Sequence, residues 1–160
     1  MKRSMIKLAM VIGFLALVFG SMNVWAEEEE KPSASADMAV LSKYVWRGYE
    51  FSKDSAVIQP SMTVSYKGFG FNLWGNLDTD VYQSANSESF NETDMTLSYD
   101  KSFGMVGLGV GYIYYGLDGV VDSQEIYLSA SIDTLLSPSL TVYREIASLP
   151  SWYLSLGISH

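Results

Sequence analysis

The feature that most constrains the fold is an alternation of apolar and polar residues, repeated in blocks of about ten. In the clearest block, residues 58–67, Met62, Val64 and Tyr66 alternate with polar neighbours. A period of two residues is that of a β-strand whose faces meet different environments. Similar blocks occur at about 37–47, 69–78, 92–100, 106–115, 125–133, 140–145 and 152–159. The sequence therefore predicts about eight strands.

The lengths of the blocks and of their connections indicate the kind of sheet. A strand needs about 9–11 residues to cross a bilayer at a tilt, whereas strands of soluble proteins average about 5–6. Most blocks here have the greater length. Short connections at 67–69, 101–104 and 134–138 alternate with mostly longer ones at 48–55, 79–91, 116–123 and 147–151. Short periplasmic turns and long extracellular loops are typical of an antiparallel up-and-down transmembrane β-barrel, which is the predicted fold.

Alternation alone does not say which face of a barrel is inside. A soluble ligand-binding barrel would place the apolar set inside, and this alternative stays open. The polar set consists mostly of Ser, Thr, Gly and Asn, with few of the Lys and Glu residues of a water-facing strand. The apolar set is continuous from strand to strand, which suits a lipid-facing band about 25 Å tall. We therefore expect lipid outside.

The N-terminus has the pattern of a secretory signal peptide. Lys2, Arg3 and Lys7 precede an apolar run over 8–20, and small residues at Val24 and Ala26 suit cleavage after Ala26. The apolar run is shorter than the roughly 20 residues that a membrane-spanning helix needs. We predict a signal peptide at 1–26, an acidic flexible tail at 27–35 and a barrel domain at 36–160. The expected location is the outer membrane of a Gram-negative bacterium.

Composition excludes several classes of function. The net charge is −8 for the chain and −11 once the three basic residues of the predicted leader are removed, so nucleic acid is not an expected partner. The chain has no Cys and only one His, His160, which leaves no cofactor or metal-ligand cluster to predict. Ser159 and His160 are adjacent and would point to opposite faces of a strand, so they cannot pair for catalysis. We expect no enzyme.

Two sets of residues are candidates for function. Charged residues with polar-face spacing are predicted to line the lumen, where they would form ion pairs or give a pore its cation preference. They are Lys43, Arg47, Lys67, Asp78, Asp94, Glu125, Asp133 and Glu145. Aromatic residues near strand ends are predicted to form a belt at the lipid headgroups. They are Tyr44, Trp46, Tyr66, Phe69, Tyr99, Tyr112, Tyr114 and Trp152. Gly107, Gly109 and Gly111 are expected to let a ring such as Tyr127 or Tyr143 pack over bare backbone.

Several short stretches resemble a known family. Val40-Leu41-Ser42-Lys43-Tyr44-Val45-Trp46-Arg47-Gly48, Gln59-Pro60-Ser61 and Phe71-Asn72-Leu73-Trp74-Gly75-Asn76 are similar to the opening of the TorF family of porin-like proteins. Gly111-Tyr112-Ile113-Tyr114-Tyr115 and Gln124-Glu125-Ile126-Tyr127-Leu128 are similar to its later strands. The resemblance covers most of residues 36–160. It implies a porin or channel, with no agreed substrate and no catalytic residues.

Three functions therefore stay open at this point. The first is a porin-like outer-membrane channel for small solutes, with a preference for cations. The second is a non-conducting structural or surface-binding barrel that acts through loops such as 79–91. The third is a soluble periplasmic ligand-binding barrel. Two accounts of the C-terminus also remain: a compact eight-stranded barrel that ends at His160, or a barrel whose last strands lie beyond it. The sequence predicts no oligomeric state.

Overall fold

The computed structural model of the protein describes residues 31–80 and 89–160. The predicted signal peptide, residues 27–30 of the predicted tail and most of the predicted 79–91 loop lie outside the described residues. The described strands are β1 (Ser33–Leu41), β2 (Val45–Trp46), β3 (Tyr49–Glu50), β4 (Val57–Tyr66), β5 (Phe69–Asp78), β6 (Ser89–Phe103), β7 (Val106–Leu117), β8 (Ser123–Ile132), β9 (Ser139–Glu145) and β10 (Trp152–Gly157). Over the same residues, no helix has the length and apolar character needed to cross a membrane.

Eight of these strands form one antiparallel sheet in the order β1-β4-β5-β6-β7-β8-β9-β10. Each pairs with the next long strand along the chain, so the predicted all-β, antiparallel, up-and-down arrangement of eight strands is confirmed. β2 and β3 form a separate two-stranded sheet. The predicted closure is not found: in the described part of the chain β1 and β10 are the two edges and do not pair. The structure is therefore an open sheet.

The first strand differs from its predicted bounds of 37–47. β1 begins at Ser33 and ends at Leu41, and it pairs with β4 from Ser33↔Ser65 to Leu41↔Val57. Residues 33–35, predicted to belong to a flexible tail, are thus part of the sheet. The chain leaves the sheet after β1 and reverses at Arg47 and Gly48, whose φ angles are 50° and 87°. Such positive φ values end an extended strand, and the reversal pairs β2 with β3.

Short turns join the strands at the end where they are predicted. Lys67 and Gly68, between β4 and β5, have φ angles of 50° and 83°, as a two-residue type I′ hairpin turn requires. The expectation that a glycine admits a large ring is confirmed at Gly111, where an added Cβ would overlap the ring of Tyr127 on the neighbouring strand.

The two faces of the eight-stranded sheet differ in chemistry. We call the face that bears Asn72, Asp94, Thr96, Tyr115 and Glu125 the polar face, and the opposite one the apolar face. Among the described residues, the buried polar or charged side chains are Ser52, Ser55, Gln59, Asn76, Asp78, Glu92, Glu125 and Glu145. The buried hydrophobic ones are Tyr44, Val57 and Tyr115.

Large hydrophobic side chains of the apolar face are exposed instead. Examples on five different strands are Val64, Phe71, Leu97, Leu128 and Leu154. In water this arrangement would be the reverse of an ordinary globular protein, in which apolar side chains are buried and charged ones lie at the surface.

Candidate functional site

The candidate site lies on the polar face, where it meets the segment between β1 and β4. We call residues 42–56 the inner segment. It contains β2 and β3, and its side chains contact several strands of the sheet. The rings of Tyr44 and Trp74 lie 5.7 Å apart, and those of Trp46 and Tyr115 lie 6.1 Å apart. The inner segment thus covers part of the polar face.

Arg47 anchors the inner segment to the far side of the sheet. Its two terminal nitrogens donate hydrogen bonds of 2.8 and 2.7 Å to the two carboxylate oxygens of Glu125 in β8. The Tyr115 hydroxyl donates a third bond, of 2.9 Å, to the same carboxylate. The side chains of Arg47 and Glu125 are 13% and 5% exposed. A bidentate ion pair of this kind fixes both the position and the orientation of the Arg47 guanidinium.

Three aromatic rings surround the same guanidinium. Its central carbon lies 4.2 Å from the ring centre of Trp46, 4.5 Å from that of Tyr143 and 4.1 Å from that of Tyr153. A cation over an aromatic face is attracted by the ring quadrupole, more strongly where water is excluded. A carboxylate and a cage of rings therefore hold the Arg47 charge between β8, β9 and β10.

Besides Glu125 on β8, a second set of acidic side chains lies on β6, the strand that pairs with β5. Glu92 and Asp94 are two residues apart on β6 and share the polar face, and Glu92 is buried. The ion pairs of the described residues join Lys43 to Glu50 and Asp54, and Arg47 to Glu125. Asp94 Oδ1 is out of contact with solvent and has no hydrogen-bond partner in that part of the chain. Glu92 and Asp94 thus form an acidic pair without a cation.

Tyr44 packs against this acidic pair from the inner segment. Burial, and then the neighbouring carboxylate of Glu92, raise the pKa of the Tyr44 hydroxyl well above its ordinary value. The hydroxyl therefore stays protonated and can donate to Glu92. The backbone N–H of Tyr44 donates a 2.8 Å hydrogen bond to the buried Ser52 hydroxyl, and this bond holds the inner segment in place.

A cavity of about 420 Å³ opens between the inner segment and the polar face. Trp46 and Arg47 form one wall, and Trp74, Asp94, Tyr115 and Tyr153 are among the residues that form the others. Its lining is aromatic and polar, and Asp94 is the carboxylate in it. Such a mixture of rings and a few convergent polar groups is typical of small-molecule sites.

Glu145 and Asp78 are two further buried carboxylates, and local hydrogen bonds satisfy Glu145 but only one oxygen of Asp78. Glu145 faces Glu125 across β8 and β9. Its carboxylate accepts from the backbone N–H groups of Ala147, Ser148 and Leu149, at 3.0, 2.8 and 2.9 Å. Asp78 Oδ1 accepts from the Ser55 hydroxyl at 2.6 Å. These carboxylates hold the loops at the end of the sheet, and neither forms an ion pair with another described residue.

The predicted lumen charges divide into two groups in the structure. Arg47, Asp78, Asp94, Glu125 and Glu145 are buried or half-buried on the polar side. Lys67 and Asp133 lie exposed in the connections between strands, apart from those five.

Lys43 also lies apart from those five, because it is in the inner segment beside the acids Glu50 and Asp54. Its amine bonds Asp54 at 2.7 Å and Glu50 at 3.1 Å. Hydrogen bonds to Asp54 and then Glu50 raise the pKa of Lys43, and Lys43 lowers that of Asp54. The pair ties the inner segment to itself and does not line the cavity.

The predicted aromatic belt is also divided. Six members belong to the apolar face: Tyr66, Phe69, Tyr99, Tyr112, Tyr114 and Trp152. The Phe69 and Tyr99 rings lie 4.7 Å apart, and Arg144 lies over Trp152. Tyr44 and Trp46 pack instead on the polar side, against Trp74 and Tyr115. They lie in the inner segment, outside the alternation of the eight long strands.

Sequence reasoning missed the aromatic lining of the cavity. Trp74, Tyr115, Tyr143 and Tyr153 all have the spacing of the polar face, and this spacing was the available signal. Aromatic residues at polar-face positions of several strands indicate that their rings lie close together on that face. What the sequence could not supply was the contact of Arg47 with these rings, because Arg47 reaches them only when the inner segment folds over the sheet.

Comparison with known proteins yields one match. A family model described as a bacterial protein of unknown function (Gcw_chp) matches residues 26–145. No curated protein and no solved structure matches the chain.

Proposed function

The chain belongs to the Gcw_chp family of bacterial proteins of unknown function, and we propose that it is a porin-like outer-membrane β-barrel that passes small, neutral or cationic solutes. The observation that carries the proposal is the reversed distribution of side chains. Charged groups such as Glu125 and Glu145 are buried, while large apolar ones such as Leu128 and Leu156 are exposed.

The size of this reversal favours an apolar surrounding. Removing a Leu or Phe side chain from water stabilises a protein by about 1.5–3 kcal/mol. Exposed apolar residues recur on every long strand, so their transfer from water to hydrocarbon would in total release more free energy than the roughly 5–15 kcal/mol by which most domains are stable. A lipid surrounding therefore gives this face a large gain that water does not. The distribution thus supports a membrane barrel over the soluble ligand-binding barrel.

Two details of the apolar face fit contact with lipid. Tyr66 and Phe69 lie beside the turn between β4 and β5, and the ring of Phe69 lies 4.7 Å from that of Tyr99, as in an aromatic girdle at one end of a barrel. A shallow cavity of about 840 Å³ also crosses this face, lined by apolar residues such as Val64, Leu97 and Ile126. Acyl chains would fill such a groove.

Closure of the sheet is part of the proposal. An open edge leaves backbone N–H and C=O groups unpaired, and each unpaired group costs several kcal/mol in hydrocarbon. β1 and β10 would run antiparallel if joined, since eight strands alternate in direction. We propose that these edges pair in the membrane. Oxidative cross-linking of one Cys in β1 to one in β10 tests this cleanly, because the chain has no Cys of its own.

The charge of the polar face favours cations as solutes. Glu92, Asp94, Glu125 and Glu145 lie on it, and the one cation that meets them, in the described part of the chain, is Arg47. A narrow passage lined by excess acid attracts cations and repels anions.

A second candidate is a non-conducting barrel, and the position of the inner segment favours it. Trp46 and Arg47 occupy space on the polar face, and eight strands leave an interior that side chains can fill. In this case the long loops would carry the function.

Single-channel recording separates the two candidates. The full chain is expressed with its leader, purified from outer membranes in detergent, checked for a heat-shifted gel band and inserted into planar bilayers. Solute passage predicts discrete cation-selective steps, with a selectivity that Asp94→Asn lowers and the matched Asp133→Asn in an exposed turn leaves unchanged. A folded but silent protein, or anion-selective steps, would contradict solute passage.

A further inference from the structure

The cavity beside Arg47 has the carboxylate of Asp94 on one wall, and we infer that it binds a small organic cation that carries an ammonium group. The inference rests on the proposed function in one respect, since it names the class of solute that the interior would select. The occupant is defined by chemistry: one positive charge, weakly hydrated, on a compact apolar group.

The first argument is electrostatic. Asp94 lines the cavity, and Glu92 lies two residues away on the same face of β6. Neither forms an ion pair within the described part of the chain, and Arg47 is already matched by Glu125. Burying carboxylates without a counter-charge is expensive. A cation in the adjacent cavity would supply that charge.

The second argument concerns the rings. Trp74 and Tyr115 line the cavity on the polar face, and Tyr44 packs on Trp74. The same interior already holds one organic cation in this way, because the Arg47 guanidinium lies within 4.5 Å of three ring centres. Aromatic rings that surround a cation, here with a carboxylate beside them, are a known means of recognising ammonium groups.

The third argument selects organic cations over metal ions. In the residues that the structure describes, no three acidic or His side chains come together to hold a metal ion. Rings cannot replace the tightly held water of Na⁺ or Mg²⁺, whereas a methylated ammonium group holds little water to lose. The cavity volume of about 420 Å³ also lies in the range of small-molecule sites, roughly 300–1,000 Å³.

Tryptophan fluorescence can measure the binding directly. Two of the four tryptophans of the chain, Trp46 and Trp74, line the cavity, whereas Trp152 lies on the apolar face. The purified full chain in detergent is titrated with tetramethylammonium chloride, and NaCl is lowered in step so that the ionic strength stays constant. We expect a saturable change in emission in this titration. A second titration with NaCl alone should give no such change.

Matched variants locate the site. Asp94→Asn should weaken tetramethylammonium binding by about tenfold or more, because the change removes the carboxylate charge that attracts the cation. Asp100→Asn is the control, because Asp100 is on the same strand and face but packs beside Gly109, outside the cavity. It should leave the Kd unchanged. If Asp94→Asn loses its heat-shifted band, Trp74→Leu provides the second test and should also weaken binding.

The outcomes separate this inference from the proposed function. Absence of saturable binding by the folded protein, equal responses to Na⁺ and tetramethylammonium, or binding that both cavity variants leave intact would each overturn the cation site. Binding is measured in detergent, so it requires no open pore. A protein that binds but does not conduct would overturn solute passage alone, and one that conducts without saturable binding would overturn the cation site alone.

Discussion

Replacing Arg47 with Ala should destabilise the protein more than any loss of a surface charge. The change leaves the Glu125 carboxylate, only 5% exposed, without its cation and with one remaining donor, the Tyr115 hydroxyl. Breaking a buried ion pair from one side costs about 3–5 kcal/mol. The contacts of the guanidinium with three rings are lost as well. We therefore expect a loss of about 3–5 kcal/mol in the free energy of unfolding.

Urea unfolding in lipid vesicles, followed by tryptophan fluorescence, measures this loss. With a slope of about 2 kcal/mol per molar urea, a loss of about 3 kcal/mol lowers the midpoint by about 1.5 M. Lys43→Ala is the matched control, because its ion pairs are exposed and exposed pairs contribute little. Its midpoint should not move measurably.

The double variant Arg47→Met, Glu125→Gln tests the physical cause. It removes both charges, keeps a similar volume and leaves Tyr115 an oxygen to which it can donate. If the uncompensated carboxylate is the source of the cost, the double variant should recover at least half of it. A single variant that costs less than about 1 kcal/mol, or a double variant as unstable as the single, would refute the reasoning.

Three further changes have expected outcomes. Gly68→Ala should cost about 1–2 kcal/mol in urea unfolding, because φ is +83° there and an added Cβ would lie 2.6 Å from the Asp100 carbonyl oxygen; an unchanged midpoint would contradict the turn assignment. The pKa of Asp122 is lowered by hydrogen bonds from the Tyr114 hydroxyl and then the Leu117 N–H, so their stabilisation is present above the unfolded pKa of about 3.9 and lost as pH falls through the lower folded pKa. Limited proteolysis at 118–122 should accelerate with acid in that range, and Asp122→Asn should abolish this dependence; equal acid sensitivity in both would oppose it. Leu128→Arg should cost about 2–4 kcal/mol in vesicles if the apolar face meets lipid, whereas a change within about 0.5 kcal/mol indicates a water-facing site.

Much of the sheet was predictable because alternation is a local property of the chain. The eight long strands, their order and the tight turn at Lys67-Gly68 follow from periodicity and from the φ angles that glycine permits. The bounds of β1 were not predictable in the same way. Ser33–Ser35 lack an apolar pattern and join the sheet only because β4 is long enough to pair with them.

The candidate site was predictable only in part, because it depends on contacts between distant residues. Spacing placed Asp94 and Glu125 on the polar face correctly. It could not show that Arg47 reaches Glu125, 78 residues away, or that Tyr143 and Tyr153 enclose it. Nor could it show that Lys67 and Asp133 lie beyond the ends of their strands, because the alternation of the sequence continues where the chain leaves the sheet.

The central claim is that the apolar face meets lipid while the polar face is turned inward. The chain lacks Cys, so single Cys residues can be placed along β8 from position 126 to 131 and spin-labelled in vesicles. Collisions with oxygen, which concentrates in lipid, are compared with collisions with a water-soluble nickel complex. The account predicts a period of two, with oxygen favoured at Ile126, Leu128 and Ala130 and disfavoured at Tyr127, Ser129 and Ser131. Nickel access at the apolar positions, or no alternation, would contradict it.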